Sequence, residues 1–103
     1  MRKKYNVKYL SSFYNELNDN IKYISTELEN ISAAERLLNK VESSIKNRQK
    51  SPESFKKYMS SKKRKYDWYK IYVGSYVILY IVENNTMIVA HIYYSKRDID
   101  NLL

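Results

Sequence analysis

The chain contains no cysteine, one glycine, one proline and one histidine in 103 residues. Without cysteine there is no disulfide and no thiolate metal site, which suits a reducing compartment. His91 has no second His and no Cys to join it, so no metal site can be built around it. The single glycine, Gly74, leaves no glycine-rich phosphate loop, which excludes Walker-type and dinucleotide-binding motifs. No nucleophile elbow is present, so Ser/His/Asp catalysis has no support. No cofactor and no metal are expected. The longest apolar run, Tyr76 to Val82, is far too short to cross a bilayer as a helix. The start, Met1-Arg2-Lys3-Lys4, is basic, but Tyr5-Asn6-Val7-Lys8-Tyr9 comes directly after it and nothing resembles a signal peptide. The expectation is a soluble, cytoplasmic protein without membrane association, with residues 1–103 forming a single domain.

The chain is rich in positive charge, placed unevenly. The net charge is +8. Residues 46–70 hold ten Lys/Arg against two acids, Glu53 and Asp67, while the remainder of the chain is balanced. Charge confined to one segment points to a polyanionic partner: nucleic acid, an acidic protein segment or a membrane surface. The densest cluster is Lys62-Lys63-Arg64-Lys65. It suits sequence-independent phosphate contact, and equally a solvated loop before an edge strand.

Periodicity orders the elements. Residues 5–9 alternate and read as a short strand, with Ser11-Ser12 as an N-cap for a first helix. Phe13, Leu17, Ile21, Ile24 and Leu28 form one face of that helix, with Asn15, Glu16, Asp19, Lys22 and Glu29 on the wet side and Asn30 as a stop. Ser32-Ala33-Ala34-Glu35 matches a capping box. Ala34, Leu37, Leu38, Val41 and Ile45 then mark a second helix, ended at the latest by Ser51-Pro52. The short connection predicts an antiparallel helical hairpin. Residues 51–63 read as a polar, basic loop with Phe55, Tyr58 and Met59 as anchors. From Lys65 the period becomes two and a strand begins, with Gly74-Ser75 as a turn. Tyr76 to Val82 is a central strand, Glu83-Asn84-Asn85-Thr86 a hairpin turn, and Met87 to Tyr93 the last strand. Asp98, Ile99, Leu102 and Leu103 show helical spacing in the tail. The order β-α-α-β-β-β predicts an α+β two-layer domain, an antiparallel sheet packed against an N-terminal helical hairpin.

Four stretches together resemble the RelE/ParE toxin superfamily of type II toxin-antitoxin systems. Tyr5-Asn6-Val7-Lys8-Tyr9-Leu10-Ser11 is similar to its first strand and helix start. Ser32-Ala33-Ala34-Glu35-Arg36-Leu37-Leu38 is similar to the second helix of the ParE branch. Tyr69 to Tyr80 resembles the central hairpin, and Ile92-Tyr93-Tyr94-Ser95-Lys96-Arg97-Asp98 the closing strand with its basic end. The resemblance covers nearly the whole chain. It implies the RelE/ParE-like fold and a growth-inhibiting toxin held by a cognate acidic antitoxin. It also favours Ile78 and Tyr80, over the alternate set Val77, Leu79 and Ile81, as the residues facing the helices.

The two branches imply two activities. ParE-like members poison DNA gyrase, and the long helical hairpin is ParE-like. RelE-like members cleave mRNA on the ribosome, which needs a proton acceptor, a proton donor and clustered cations. Carried over by position, Lys70 and Arg97 match two cations of that site. Tyr72 stands in place of a second lysine, and Val77 in place of an arginine that valine cannot mimic. Tyr93, Tyr94 and His91 are the remaining candidates for proton transfer. The catalytic set is thus incomplete, and whether the chain is an enzyme stays open. Each of these residues also has a plain structural reading: Lys70 as a solvated edge residue, Arg97 with Asp98 as a surface pair, His91 and the tyrosines as packing. Lys62, Lys63, Arg64, Lys65 and Lys70 form the candidate surface for nucleic acid or an acidic partner, and Trp68 could stack there or anchor the hairpin. A basic RNA-binding domain outside any toxin system is the third reading.

Overall fold

The computed structural model describes residues 4–60 and 62–103; the basic start Met1-Arg2-Lys3 and Ser61 lie outside the described residues. Strand β1 (Asn6–Tyr9) is followed by helix α1 (Ser11–Lys22), a π-helical turn (Tyr23–Glu27) and helix α2 (Ile31–Arg48). Strands β2 (Tyr69–Val73), β3 (Tyr76–Glu83) and β4 (Thr86–Tyr94) come next, and a short helix α3 (Ile99–Leu102) ends the chain. The sheet order is β1-β4-β3-β2. β2, β3 and β4 form an antiparallel meander, as their turns dictate. β1 joins β4 in parallel, so the sheet is mixed. This is an α+β fold with the expected element order.

The turns reflect residue type. Gly74 sits at φ +57°, and Asn84 and Asn85 at +48° and +64°. Such left-handed pairs match the twist of a two-residue hairpin, and Asn tolerates them better than most residues. The helix starts differ from the capping expectations. Leu10, in extended backbone, precedes α1 without any side-chain cap. Ser12 Oγ instead donates to the Ala90 carbonyl at 2.7 Å. At α2 the cap is Asn30, whose Oδ1 accepts the Ala33 N–H at 3.0 Å. Ser32 therefore lies inside the helix and no capping box forms: Asn30 is an equally good cap and comes two residues sooner.

The π turn explains another departure. Leu28 N–H bonds the Tyr23 carbonyl, five residues back. A wider turn breaks the four-residue spacing, so Ile24 is buried while Leu28 is 56% exposed. Glu29, at φ +48°, then turns the chain into α2. Leu38 also lies mostly outside the core, because its neighbours Leu37 and Val41 define the inward stripe.

One core lies between the helices and the sheet. Phe13, Leu17, Ile24, Ala34, Leu37, Val41 and Ile45 meet Tyr69, Ile71, Val73, Ile78, Tyr80, Met87, Val89 and Ile92. Ile78 and Tyr80 thus face the helices, the set that the resemblance favours. Val77 and Leu79 point to the opposite face, where Tyr93, Trp68, Ile99, Leu102 and Leu103 cover them. The loop after α2 is anchored by Pro52, which is fully buried, while Phe55 and Met59 stay exposed. The strand expected from Lys65 begins at Tyr69.

Candidate functional site

A single bulge decides which residues reach the face away from the helices. Leu79 pairs with His91, but Tyr80 pairs with Val89, so Ala90 is an extra residue in β4. One inserted residue reverses the alternation beyond it. Met87 and Val89 face the helices before the bulge, and Ile92 does so after it. His91 and Tyr93 are therefore turned to the outer face.

There His91 Nδ1 lies 3.0 Å from Glu16 Oε2 and 2.9 Å from the Tyr93 hydroxyl. The His91 and Tyr93 rings stack at 5.0 Å, and Trp68 lies 5.9 Å from His91. Periodicity alone places Glu16 on the wet side of its helix. Its carboxylate is instead engaged: Oε1 accepts the Ile92 N–H at 3.1 Å. The reason is that β1 pairs with β4 only as far as Val89. Beyond that point Ser12 and Glu16 of α1 take the place of a strand and satisfy the open edge. Burial pushes the Tyr93 hydroxyl up to about 12, reinforced by the nearby Glu16 carboxylate. Tyr93 is a neutral phenol at physiological pH.

Lys70 lies two strands away. It pairs with Leu79, which pairs with His91, so the Lys70 and His91 backbones are roughly 10 Å apart by strand spacing. Between them stand Val77 and Leu79, fully buried beneath α3 and Trp68. Lys70 Nζ turns to the rim instead and donates to the Tyr72 hydroxyl at 2.7 Å. The Arg97 guanidinium lies 5.8 Å from the Tyr93 ring centre. Tyr94 points to the helix-covered face, edge-on to Tyr76 at 6.0 Å. The candidate catalytic set is thus divided: His91, Tyr93 and Arg97 gather at one corner, Lys70 stands at the opposite edge, and Tyr94 is on the other face.

The basic cluster is partly absorbed into structure. Arg64 lies 3.3 Å from Asp100 Oδ1, both largely covered, and its Nε donates to Ser60 Oγ at 3.0 Å. Tyr58 and Ser60 donate to the same carboxylate oxygen at 2.6 and 2.7 Å. The Tyr58 hydrogen bond, with burial second, pushes the Tyr58 hydroxyl up to about 12. The network pins α3 against the loop. Lys62 reaches Asn101, while Lys63 and Lys65 are exposed. A second cation is also internal: Arg48 donates to the Lys70 carbonyl at 3.1 Å and to the Tyr80 hydroxyl at 2.9 Å. Long-range partners such as Glu16, Arg48 and Asp100 carry no local sequence signal. Among the described residues no group of three or more His, Cys, Asp and Glu could hold a metal ion. None of their helices is long and apolar enough to cross a membrane.

The family model described as "ParE toxin of type II toxin-antitoxin system, parDE" matches residues 7–99. The chain belongs to the ParE toxin family. The match runs from β1 into α3 and so takes in every strand and both long helices. It makes the protein a toxin component of a type II toxin-antitoxin system, and implies a cognate antitoxin as partner. A search of curated proteins finds no match.

Proposed function

We propose that this ParE-family toxin arrests growth by binding and poisoning DNA gyrase in the cytoplasm, as one domain, and that an acidic antitoxin neutralises it. The family match over residues 7–99 carries this reading. Two features support it. The α1–α2 hairpin, with helices of 12 and 18 residues, offers an extended surface for a protein target. The RelE-type cations are set apart by the buried Val77 and Leu79, which lie between Lys70 and the corner of His91 and Arg97, and this argues against one shared phosphate site. The excess of positive charge in residues 46–70 supports an acidic antitoxin segment lying over that region, held by interactions that salt screens.

Ribosome-dependent mRNA cleavage is the second reading. The Glu16–His91–Tyr93 contact favours it, because a carboxylate beside an imidazole can orient it as a proton acceptor. The test is induced expression with the DNA-damage response and mRNA integrity measured in parallel. The gyrase reading expects an early DNA-damage response with intact mRNA. Codon-spaced mRNA cuts without DNA damage would replace it with the second.

A further inference from the structure

The outer edge of β2 looks at first like a docking site for an extended peptide, but its backbone is mostly taken. In a hairpin closed by Gly74-Ser75, Val73, Ile71 and Tyr69 bond to β3, so the groups of residues 68, 70 and 72 point outward. The Trp68 carbonyl accepts the Tyr58 N–H at 2.6 Å. The Lys70 carbonyl accepts Arg48 Nη1 at 3.1 Å. Lys57 bridges Tyr69. Little beyond Tyr72 is left for strand addition, which relies on main-chain hydrogen bonds for affinity.

The edge offers side chains instead. A groove of about 420 Å³ runs between residues 55–59 and Lys70 and Tyr72. Its walls are three lysines, three aromatic rings and Met59, with no carboxylate among them. Asp100 accepts from the Tyr58 hydroxyl at 2.6 Å, but its charge is met by Arg64. Asp67 pairs with Lys57 at 3.0 Å, both well exposed; such a pair is weakly held and yields readily to a stronger anion. Tyr72 is 63% exposed and Phe55 47%. Phe55 is held from behind by the Arg48 guanidinium, 3.6 Å from its ring centre. Lys70 Nζ stands between two rings, 4.8 Å from Tyr58 and 5.1 Å from Tyr72. Held there, it presents its charge at the groove mouth.

Exposed rings interleaved with lysines are the chemistry that binds single-stranded nucleic acid: bases stack on the rings and phosphates meet the cations. Carboxylates alone would use the lysines and leave the rings idle. A duplex would do the same, since its bases are already stacked on one another. We infer that this groove binds single-stranded nucleic acid, with bases on Tyr72 and Phe55 and phosphates on Lys56, Lys57 and Lys70. The inference goes beyond the gyrase reading and does not depend on which enzyme the toxin arrests; an antitoxin segment lying over residues 46–70 would cover the same groove, so the two ligands would exclude each other.

Fluorescence anisotropy with the purified full chain tests it. The probes are labelled oligothymidylate and oligouridylate of about 12 nucleotides, within the span such grooves cover, a duplex of equal length and poly-glutamate. The single strands should bind more tightly than the duplex. Tyr72→Ala should weaken them about tenfold, as loss of one stacked base does, while Tyr72→Phe retains affinity. Lys70→Gln should lower the slope of log affinity against log salt by about 0.7. Tyr72 is largely exposed, so thermal melting of its variants should match the parent and separate lost binding from lost folding. Equal affinity for duplex and single strand, or binding indifferent to Tyr72→Ala, would overturn the inference. Preference for poly-glutamate over every oligonucleotide would also overturn it and assign the groove to an acidic peptide.

Discussion

Arg48 donates a hydrogen bond to the hydroxyl of Tyr80 at 2.9 Å, joining the end of α2 to the centre of the sheet. Tyr80 is fully buried, and its own proton goes to the Pro52 carbonyl at 2.7 Å. One phenol thus ties helix, strand and loop together. Tyr80→Phe keeps the ring but leaves the buried Pro52 carbonyl without this donor and takes one acceptor from the half-buried Arg48. It should lower stability by about 1–3 kcal/mol, read as a lower denaturant midpoint with an unchanged slope. A midpoint equal to the parent would show that this tie is immaterial.

The Glu16 carboxylate serves both the Ile92 N–H and His91. Glu16→Ala should destabilise more than Glu16→Gln, which retains an acceptor for the amide. In a double-mutant cycle Glu16→Ala and His91→Ala should couple by about 0.5–3 kcal/mol, the range for residues in direct contact. Strict additivity would mean that the contact contributes nothing.

Tyr58 and Tyr93 are both raised from 10.0 to about 12 in the folded chain. Folding therefore favours the protonated phenol. This contribution is complete below about pH 10 and is lost as pH rises through about 12. Denaturant midpoints should fall across that window. The Tyr58→Phe, Tyr93→Phe double variant should show a shallower fall. Identical pH profiles for parent and variant would contradict the assignment.

The order of elements and, Leu28 and Leu38 excepted, the inward face of the helices were legible because each rests on local period. The hairpin turns were legible because Asn84-Asn85 and Gly74 are residues that accept left-handed backbone. The misread caps had a different cause. Ser11-Ser12 and Ser32 are sound caps in isolation, but Asn30 comes first at α2, and the unpaired Ala90 carbonyl claims Ser12. The outer face was the least legible. His91 and Tyr93 reach it through one extra residue at Ala90, and period alone does not place a bulge. Glu16 has no local mark either: its partner Ile92 is 76 positions away. The charge of residues 46–70 was plain, but that Arg48 and Arg64 are spent on internal contacts depends on the folded arrangement.

Lys70 and Arg97 stand apart, with buried Val77 and Leu79 between Lys70 and the corner where Arg97 lies. On the proposal that the helical hairpin carries target binding, replacing both with Ala should weaken growth inhibition at most. Colony formation under graded induction measures this. Complete loss of toxicity, with the variant folded and expressed as the parent is, would place those two cations at the centre of the activity.

The most direct measurement combines purified gyrase, ATP, plasmid DNA and this chain, with a parallel reporter mRNA in translating extract read by primer extension. The gyrase account predicts that double-strand-cleaved plasmid accumulates only when gyrase and toxin are both present, and that the mRNA stays whole. Intact plasmid at saturating toxin, together with discrete cuts at codons of the translated mRNA, would contradict it.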